Sequence, residues 1–104
     1  MTAQGTPLTR FRRTIKTRSV LLAEIAAREA GRLPLEDAVT LVALYARLDD
    51  DKFERAAVRW LARFALERQP SLGELQLAVG ALVMLRATPE RALPLLHEIA
   101  RERG

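Results

Sequence analysis

The side chains best placed to do chemistry in this chain are five cations with no acid among them. Arg10, Arg12, Arg13, Lys16 and Arg18 all precede Glu24, the first acidic residue. The net charge of +4 therefore belongs to the N-terminal segment, since the remainder carries all 13 Asp and Glu residues and is close to neutral. Clustered guanidinium groups grip phosphate or carboxylate oxygens through paired hydrogen bonds, with an affinity that falls as salt rises. A helix over 7–16 would set Arg12 and Lys16 on one side, with Arg13 beside them, opposite Leu8, Phe11 and Ile15. Such a basic amphipathic arm fits an acidic groove on a protein, the phosphates of a nucleic acid or an anionic membrane surface. The plainer reading of the same residues is a solvated tail.

A second basic line runs through 51–68, where Lys52, Arg55, Arg59 and Arg63 recur at three- and four-residue spacing. Like charges at that spacing repel by roughly 0.2–0.5 kcal/mol per pair, which Asp51 can offset at Arg55 and Glu67 at Arg63. Arg55, Arg59 and Arg63 are thus a secondary candidate for phosphate contact, against the plainer reading of an ordinary solvated face. Phe53, Ala57, Trp60, Leu61 and Phe64 form the opposite, apolar stripe and read as core. Neither helix-turn-helix spacing nor a zinc-finger pattern supports sequence-specific readout of bases.

Little else suggests catalysis. His97 is the single histidine and there is no cysteine. The apolar positions Ala92, Leu93, Leu96, Ile99 and Ala100 put His97 beside the buried stripe, with no second ligand for a metal and no hydroxyl at a readable spacing. Asp49, Asp50 and Asp51 lack the glycine and alternating ligands of a calcium loop and read as a helix cap. Phosphate-binding glycine loops and zinc spacings are missing as well. The expectation is a non-enzyme with no catalytic residues, no metal and no cofactor, and no small-molecule substrate is evident.

The elements that must position these residues are helices. The chain has 104 residues and is 49% apolar, yet it has only one Trp, one Tyr and three Phe. Ala, Leu and Val supply the bulk, a helix-forming mixture. Thr6-Pro7 and Thr88-Pro89-Glu90 place a cap before proline at the first helical position, and Ser71-Leu72-Gly73-Glu74 has capping-box spacing. Gly31 with Pro34, and Gln69 with Pro70, mark breaks. The punctuation predicts helices at about 7–16, 18–30, 34–48, 51–68, 71–86 and 89–103. Leu8, Phe11, Ile15, Leu22 and Ile25 keep helical spacing across the first join, so the first two can also be one helix. Pro94 should kink the last helix or delay its start. The fold class is all-α, an antiparallel bundle or short stack of five to six helices, with a basic helical arm at 1–18 and a helical domain at 19–104.

Two segments have no polar face. Residues 38–46 contain Thr40 and the amphipathic Tyr45 as their only polar members, and 77–85 contains none. A helix of that kind must be surrounded by protein. A domain this small wraps one such helix readily, so 34–48 is placed at the centre. The helix over 71–86 is expected to meet a second copy through Leu75, Val79, Leu82 and Val83, or else to pack its small residues Ala78, Gly80 and Ala81 inside the same chain. Pro34, Leu41 and Glu54-Arg55-Ala56 recur at one fixed offset as Pro70, Leu77 and Glu90-Arg91-Ala92. That weak repeat supports a stack of helical hairpins but lacks the aromatic and glycine signature of tetratricopeptide arrays.

Three runs carry a family likeness. They are Leu21-Leu22-Ala23-Glu24-Ile25-Ala26-Ala27-Arg28-Glu29, then Leu35-Glu36-Asp37-Ala38, then Phe53-Glu54-Arg55-Ala56-Ala57-Val58-Arg59-Trp60-Leu61-Ala62-Arg63. Together they resemble small uncharacterised all-helical proteins of actinobacteria. The resemblance implies a helical fold and carries no activity or binding residue with it.

Arg12-Arg13-Thr14-Ile15-Lys16 also resembles the core of a twin-arginine export signal, but Glu24 and Arg28-Glu29 cut the following apolar stretch short. The Thr- and Arg-rich, acid-free opening matches a transit-peptide composition. The longest apolar run, 77–85, is half of the ~18 residues a membrane span needs. The expected protein is cytoplasmic: a non-enzymatic interaction module that self-associates and presents its basic arm to an acidic protein partner. The alternative is a nucleic-acid-binding accessory or regulatory protein using the arm together with Arg55, Arg59 and Arg63.

Overall fold

The computed structural model describes residues 6–48 and 51–101. Asp49 and Asp50 of the acidic cap, and the end of the last predicted helix, lie outside these residues. Within them the chain is helical throughout, as α1 (Pro7–Thr14), a 3-10 turn (Ile15–Thr17), α2 (Val20–Ala30), α3 (Leu35–Arg47), α4 (Phe53–Arg68), α5 (Leu72–Val83) and α6 (Pro89–Ala100). No helix among the described residues is long and apolar enough to cross a membrane.

The helix ends follow the local chemistry at most positions. The Thr6 hydroxyl accepts the Thr9 amide at 3.1 Å, ahead of Pro7. At α5 both halves of the capping box form, with Glu74 N–H on the Ser71 hydroxyl at 3.1 Å and Ser71 N–H on the Glu74 carboxylate at 2.9 Å. Gly31 closes α2 at φ 79°, ψ −122°, a backbone state open to glycine because it has no Cβ.

Other expectations need correction. The first two helices are not continuous: Arg18 turns left-handed at φ 59°, and the Ser19 hydroxyl then caps α2 through the Leu22 amide at 3.2 Å. A new cap outcompetes continuation here because it lets α2 fold back onto α1. Asp51 does not cap α4, whose N-cap position is Lys52 with no side-chain bond. Thr88 holds the N-cap of α6, yet its hydroxyl donates back to the Met84 carbonyl at 3.4 Å. Nor does Pro94 delay α6, which begins at Pro89; both Pro94 and Glu90 are exposed, so water can serve the carbonyl that the proline leaves without an amide.

α3 is the centre. Eight of its residues are buried: Leu35, Asp37, Val39, Val42, Ala43, Leu44, Tyr45 and Ala46. It packs against α4, α6, α2 and the 3-10 turn, while α5 reaches the core through α6 and α4. Ala57, Trp60 and Phe64 face it from α4, as their spacing predicts. The Trp60 and Phe64 rings stack 5.3 Å apart, and the indole N–H donates to the Leu35 carbonyl at 2.9 Å. The molecule measures 44 × 33 × 21 Å. Its short axis is about two helix diameters, so a helix at the edge of the stack keeps one side uncovered.

The N-terminal segment is built into this body. Phe11 is completely buried in a second, smaller core with Ala26 and Leu33, flanked by Leu8, Ile15, Ala38 and Leu41. Residues 1–5 of the expected arm at 1–18 lie outside the described residues; over 6–18 the expected division into arm and body gives way to a docked hairpin of α1 and α2. Phe11→Ala is expected to destabilise the protein by about 3 kcal/mol in urea unfolding, through lost burial and the cavity left behind. A cost below about 1 kcal/mol would mean that α1 contributes little to holding the fold.

Candidate functional site

The five leading cations meet different fates. Arg12 is tied to the protein itself: its Nε and Nη2 donate to the two oxygens of Asp37 at 2.8 and 2.9 Å. Asp37 is the one charged residue buried among those described, and a carboxylate taken out of water needs such a partner. The same hydrogen bonds raise the already high pKa of the guanidinium. Arg12 is thus a clamp between α1 and α3 and leaves the predicted partner-binding set. Arg10 is half-buried, and its carbonyl accepts the Thr14 hydroxyl at 2.8 Å. Arg13, Lys16 and Arg18 are exposed and make no ion pair among the described residues.

Other cations are engaged by carboxylates of the same chain. Lys52 donates to Glu24 at 2.7 Å, where the Tyr45 hydroxyl also donates at 2.7 Å. These two contacts, Lys52 first, hold the Glu24 carboxyl below its usual range and bind α2, α3 and the start of α4 together. Arg63 Nε donates to Glu67 at 2.7 Å, and Arg32 shares the same carboxylate oxygen. Arg63, a secondary candidate, is therefore occupied as its spacing predicts, which leaves Arg55 and Arg59 exposed on the stripe. Arg101 pairs with Glu98 at 3.1 Å.

Lys16 and Arg18 open onto a cleft of about 700 Å³ between the 3-10 turn, α3 and α6. Arg47, at the end of α3, adds a third cation, and Glu90 is the acid that lines it. The walls are apolar, with Ile15, Leu44, Leu93 and Pro94 among them. Thr40 and His97 also line it, with the hydroxyl 2.8 Å from Nε2. Thr40 Oγ1 also lies 3.1 Å from the Glu36 carbonyl, to which it can donate its single proton. In that arrangement His97 donates through Nε2–H to Thr40.

Sequence reasoning placed His97 at the boundary of the core, where the structure has it half-buried. Its partner was out of reach, because Thr40 lies on a different helix and no spacing rule connects them. Arg47 was missed as well; a lone basic residue at a helix C-terminus reads only as a complement to the helix dipole.

The two predicted basic sets do not merge. The cleft with Lys16 and Arg18 uses Thr40, Ala43, Leu44 and Arg47 of α3, whereas Arg59 and Arg63 border a groove against Ala38, Leu41, Val42 and Tyr45. At ~100° per residue these are opposite faces of α3. The predicted α5 contacts also divide. Val79 and Val83 are exposed, Leu75 is half-buried against the core, and Leu82 is buried at 5%. Leu82 is therefore corrected to an interior position and Leu75 to a partly covered one, and the outer surface carries Leu72, Leu77 and Met84 beside Val79 and Val83. Among the described residues no group of three or more His, Asp and Glu is placed to hold a metal.

Glu67 is held down to about 2, chiefly by the hydrogen bond from Arg63 and then by Arg32, against an ordinary value of 4.5. A carboxylate with a depressed pKa contributes stability above the unfolded value and loses it as pH falls through the folded one. Glu67→Gln is therefore expected to be less stable than the parent near pH 7, with the gap in urea midpoint closing between pH 4.5 and 2. A gap that stays constant with pH would mean that the Arg63 and Arg32 contacts do not govern the carboxylate. No protein-family model matches the chain, and neither a curated protein nor a solved structure matches it.

Proposed function

We propose that the chain is a cytoplasmic, non-enzymatic interaction module that self-associates through the outer side of α5 and presents a cationic edge to an acidic protein partner. One observation carries the reading. Arg12, Arg32, Lys52, Arg63 and Arg101 are each matched by a carboxylate of the same chain, while Arg13, Lys16 and Arg18 put three exposed cations without such a match among the described residues within six positions, a denser group than Arg55 with Arg59 or the separate Arg28, Arg47 and Arg91. Cations left in this state favour an acidic ligand through charge-assisted hydrogen bonds. A nucleic-acid surface using this edge together with Arg55, Arg59 and Arg63 is the weaker reading, because the two sets lie on opposite sides of α3 and Arg63 is already bound to Glu67.

Self-association draws on the composition of α5. Leu72, Leu77, Val79, Val83 and Met84 are all exposed, the most open being Leu72 at 83% and Val83 at 71%. Its one charged residue, Glu74, belongs to the capping box. At ~100° per residue Leu72, Val79 and Val83 share one side of α5, with Leu77 and the C-cap Met84 on a neighbouring side beyond Gln76 and Gly80. Exposed apolar side chains grouped in this way mark an interaction site, and a second copy is the commonest cover.

Two measurements test these parts separately. The triple variant Arg13→Glu, Lys16→Glu, Arg18→Glu is expected to lose poly-glutamate binding at low salt by tenfold or more (about 1.4 kcal/mol), with an unchanged helical spectrum. Poly-glutamate binding that survives the triple variant, or duplex DNA binding that is lost on Arg55→Ala with Arg59→Ala, would overturn the acidic-partner reading. Light scattering at micromolar concentration is expected to give an oligomer for the parent and a folded monomer for Val79→Asp with Val83→Asp. A monomeric parent would remove self-association.

A further inference from the structure

We propose that the cleft between the 3-10 turn, α3 and α6 is a binding site for a small amphiphilic anion, with a carboxylate or phosphate head on a short hydrocarbon body. Its volume of about 700 Å³ falls within the roughly 300–1,000 Å³ of small-molecule sites. Such sites pair a mainly apolar lining with a few placed polar groups, and this cleft is built that way. Ile15, Leu44, Leu93 and Pro94 provide walls that bind hydrocarbon by excluding water. Lys16, Arg18 and Arg47 converge on it from two separate elements, the N-terminal turn and the end of α3. None of the three makes an ion pair among the described residues, although Glu90 lines the same cleft. Three cations against one carboxylate favour an anionic head and disfavour a neutral or cationic one. The apolar walls in turn disfavour a bare inorganic ion.

The backbone at the cleft is also unusual. Arg18 is one of two non-glycine residues with positive φ among those described, at 59°. This left-handed turn ends the 3-10 segment and brings a guanidinium to the cleft at a position where glycine would be the easier choice. Arg18→Gly therefore removes the cation while keeping, and even easing, the backbone. It is a charge deletion that does not put the fold at risk.

The inference goes beyond the acidic-partner reading, since Arg47, His97 and the apolar walls have no part there. Its test uses octanoate and octyl phosphate as probes, with octanol and inorganic phosphate as controls. His97 is the only histidine, so its ring signals in NMR report on the cleft without ambiguity. Trp60 is buried and its indole N–H is committed to the Leu35 carbonyl, so its signal reports on the core.

Octanoate, octyl phosphate or both are expected to shift the His97 signals saturably and leave the Trp60 indole signal in place. The stronger of the two identifies the head group as carboxylate or phosphate. Arg18→Gly and Arg47→Gln are each expected to weaken the tighter probe by about tenfold or more, the scale of a lost hydrogen bond to a charged group. Arg55→Gln is expected to change nothing. The proposal is overturned if neither amphiphile moves His97. Octanol binding as tightly as octanoate, or the Trp60 signal moving as far as that of His97, would also overturn it.

Discussion

The apolar periphery of α3 is the constraint on which the rest of the structure depends. Leu35, Val39, Val42 and Ala46 form one buried stripe, and Ala43, Leu44 and Tyr45 extend burial well beyond it, so that only a narrow side with Glu36, Thr40 and Arg47 suits water. The other elements are arranged to meet that demand. α4 brings Trp60 and Phe64, α6 brings Leu96 and Ala100, and the N-terminal hairpin closes a flank through Phe11. The buried Asp37 on the same helix adds a polar demand that apolar packing cannot meet, and Arg12 answers it. One helix therefore sets both the packing of the core and the docking of the N-terminal segment.

Electrostatics sort the surface along the same lines. Carboxylates from several elements are engaged by cations: Asp37 by Arg12, Glu24 by Lys52 and Glu67 by Arg32 across elements, and Glu67 also by Arg63 within α4. Ion pairs of this kind at the surface are individually weak. Their main consequence here is that they subtract cations from the surface available to a partner. Of the charge that remains, Lys16 and Arg18 at the end of the N-terminal segment border the cleft that also holds His97, Thr40 and Arg47, while Arg55 and Arg59 stay exposed on α4.

The opposite edge of the stack has a different problem. A molecule only 21 Å thick along its short axis cannot enclose a second helix made almost entirely of apolar residues. α5 buries Ala78, Ala81 and Leu82 and leaves larger side chains outside. Ala78 and Ala81 face inward and let α5 approach its neighbours closely, whereas Gly80, expected to pack beside them, is exposed with open space around it. The result is a molecule with a cationic cleft at one place and an apolar ridge at another, bound into one body by α3.

The all-helical class, the capping box at Ser71 and Glu74, the break at Gly31, the central position of α3 and the core role of Trp60 and Phe64 were all legible in the sequence. Each depends on contacts within a few residues or on a strong helical period. Local reasoning also found the Arg63–Glu67 pair, four residues apart on one helix face. It could not see that Arg12 reaches Asp37, that Thr40 meets His97, or that Arg47 joins Lys16 and Arg18, because those partners lie on separate helices. Nor could it orient α5, since a run of nine apolar residues has no polar side to mark the outside, and Leu82 and Leu75 were assigned outward when packing buries the first and partly covers the second. Helix identity is a local balance of propensity and capping, written along the chain. Which charges remain available and which apolar face stays in water depend on how the helices stack, and only the tertiary structure decides that.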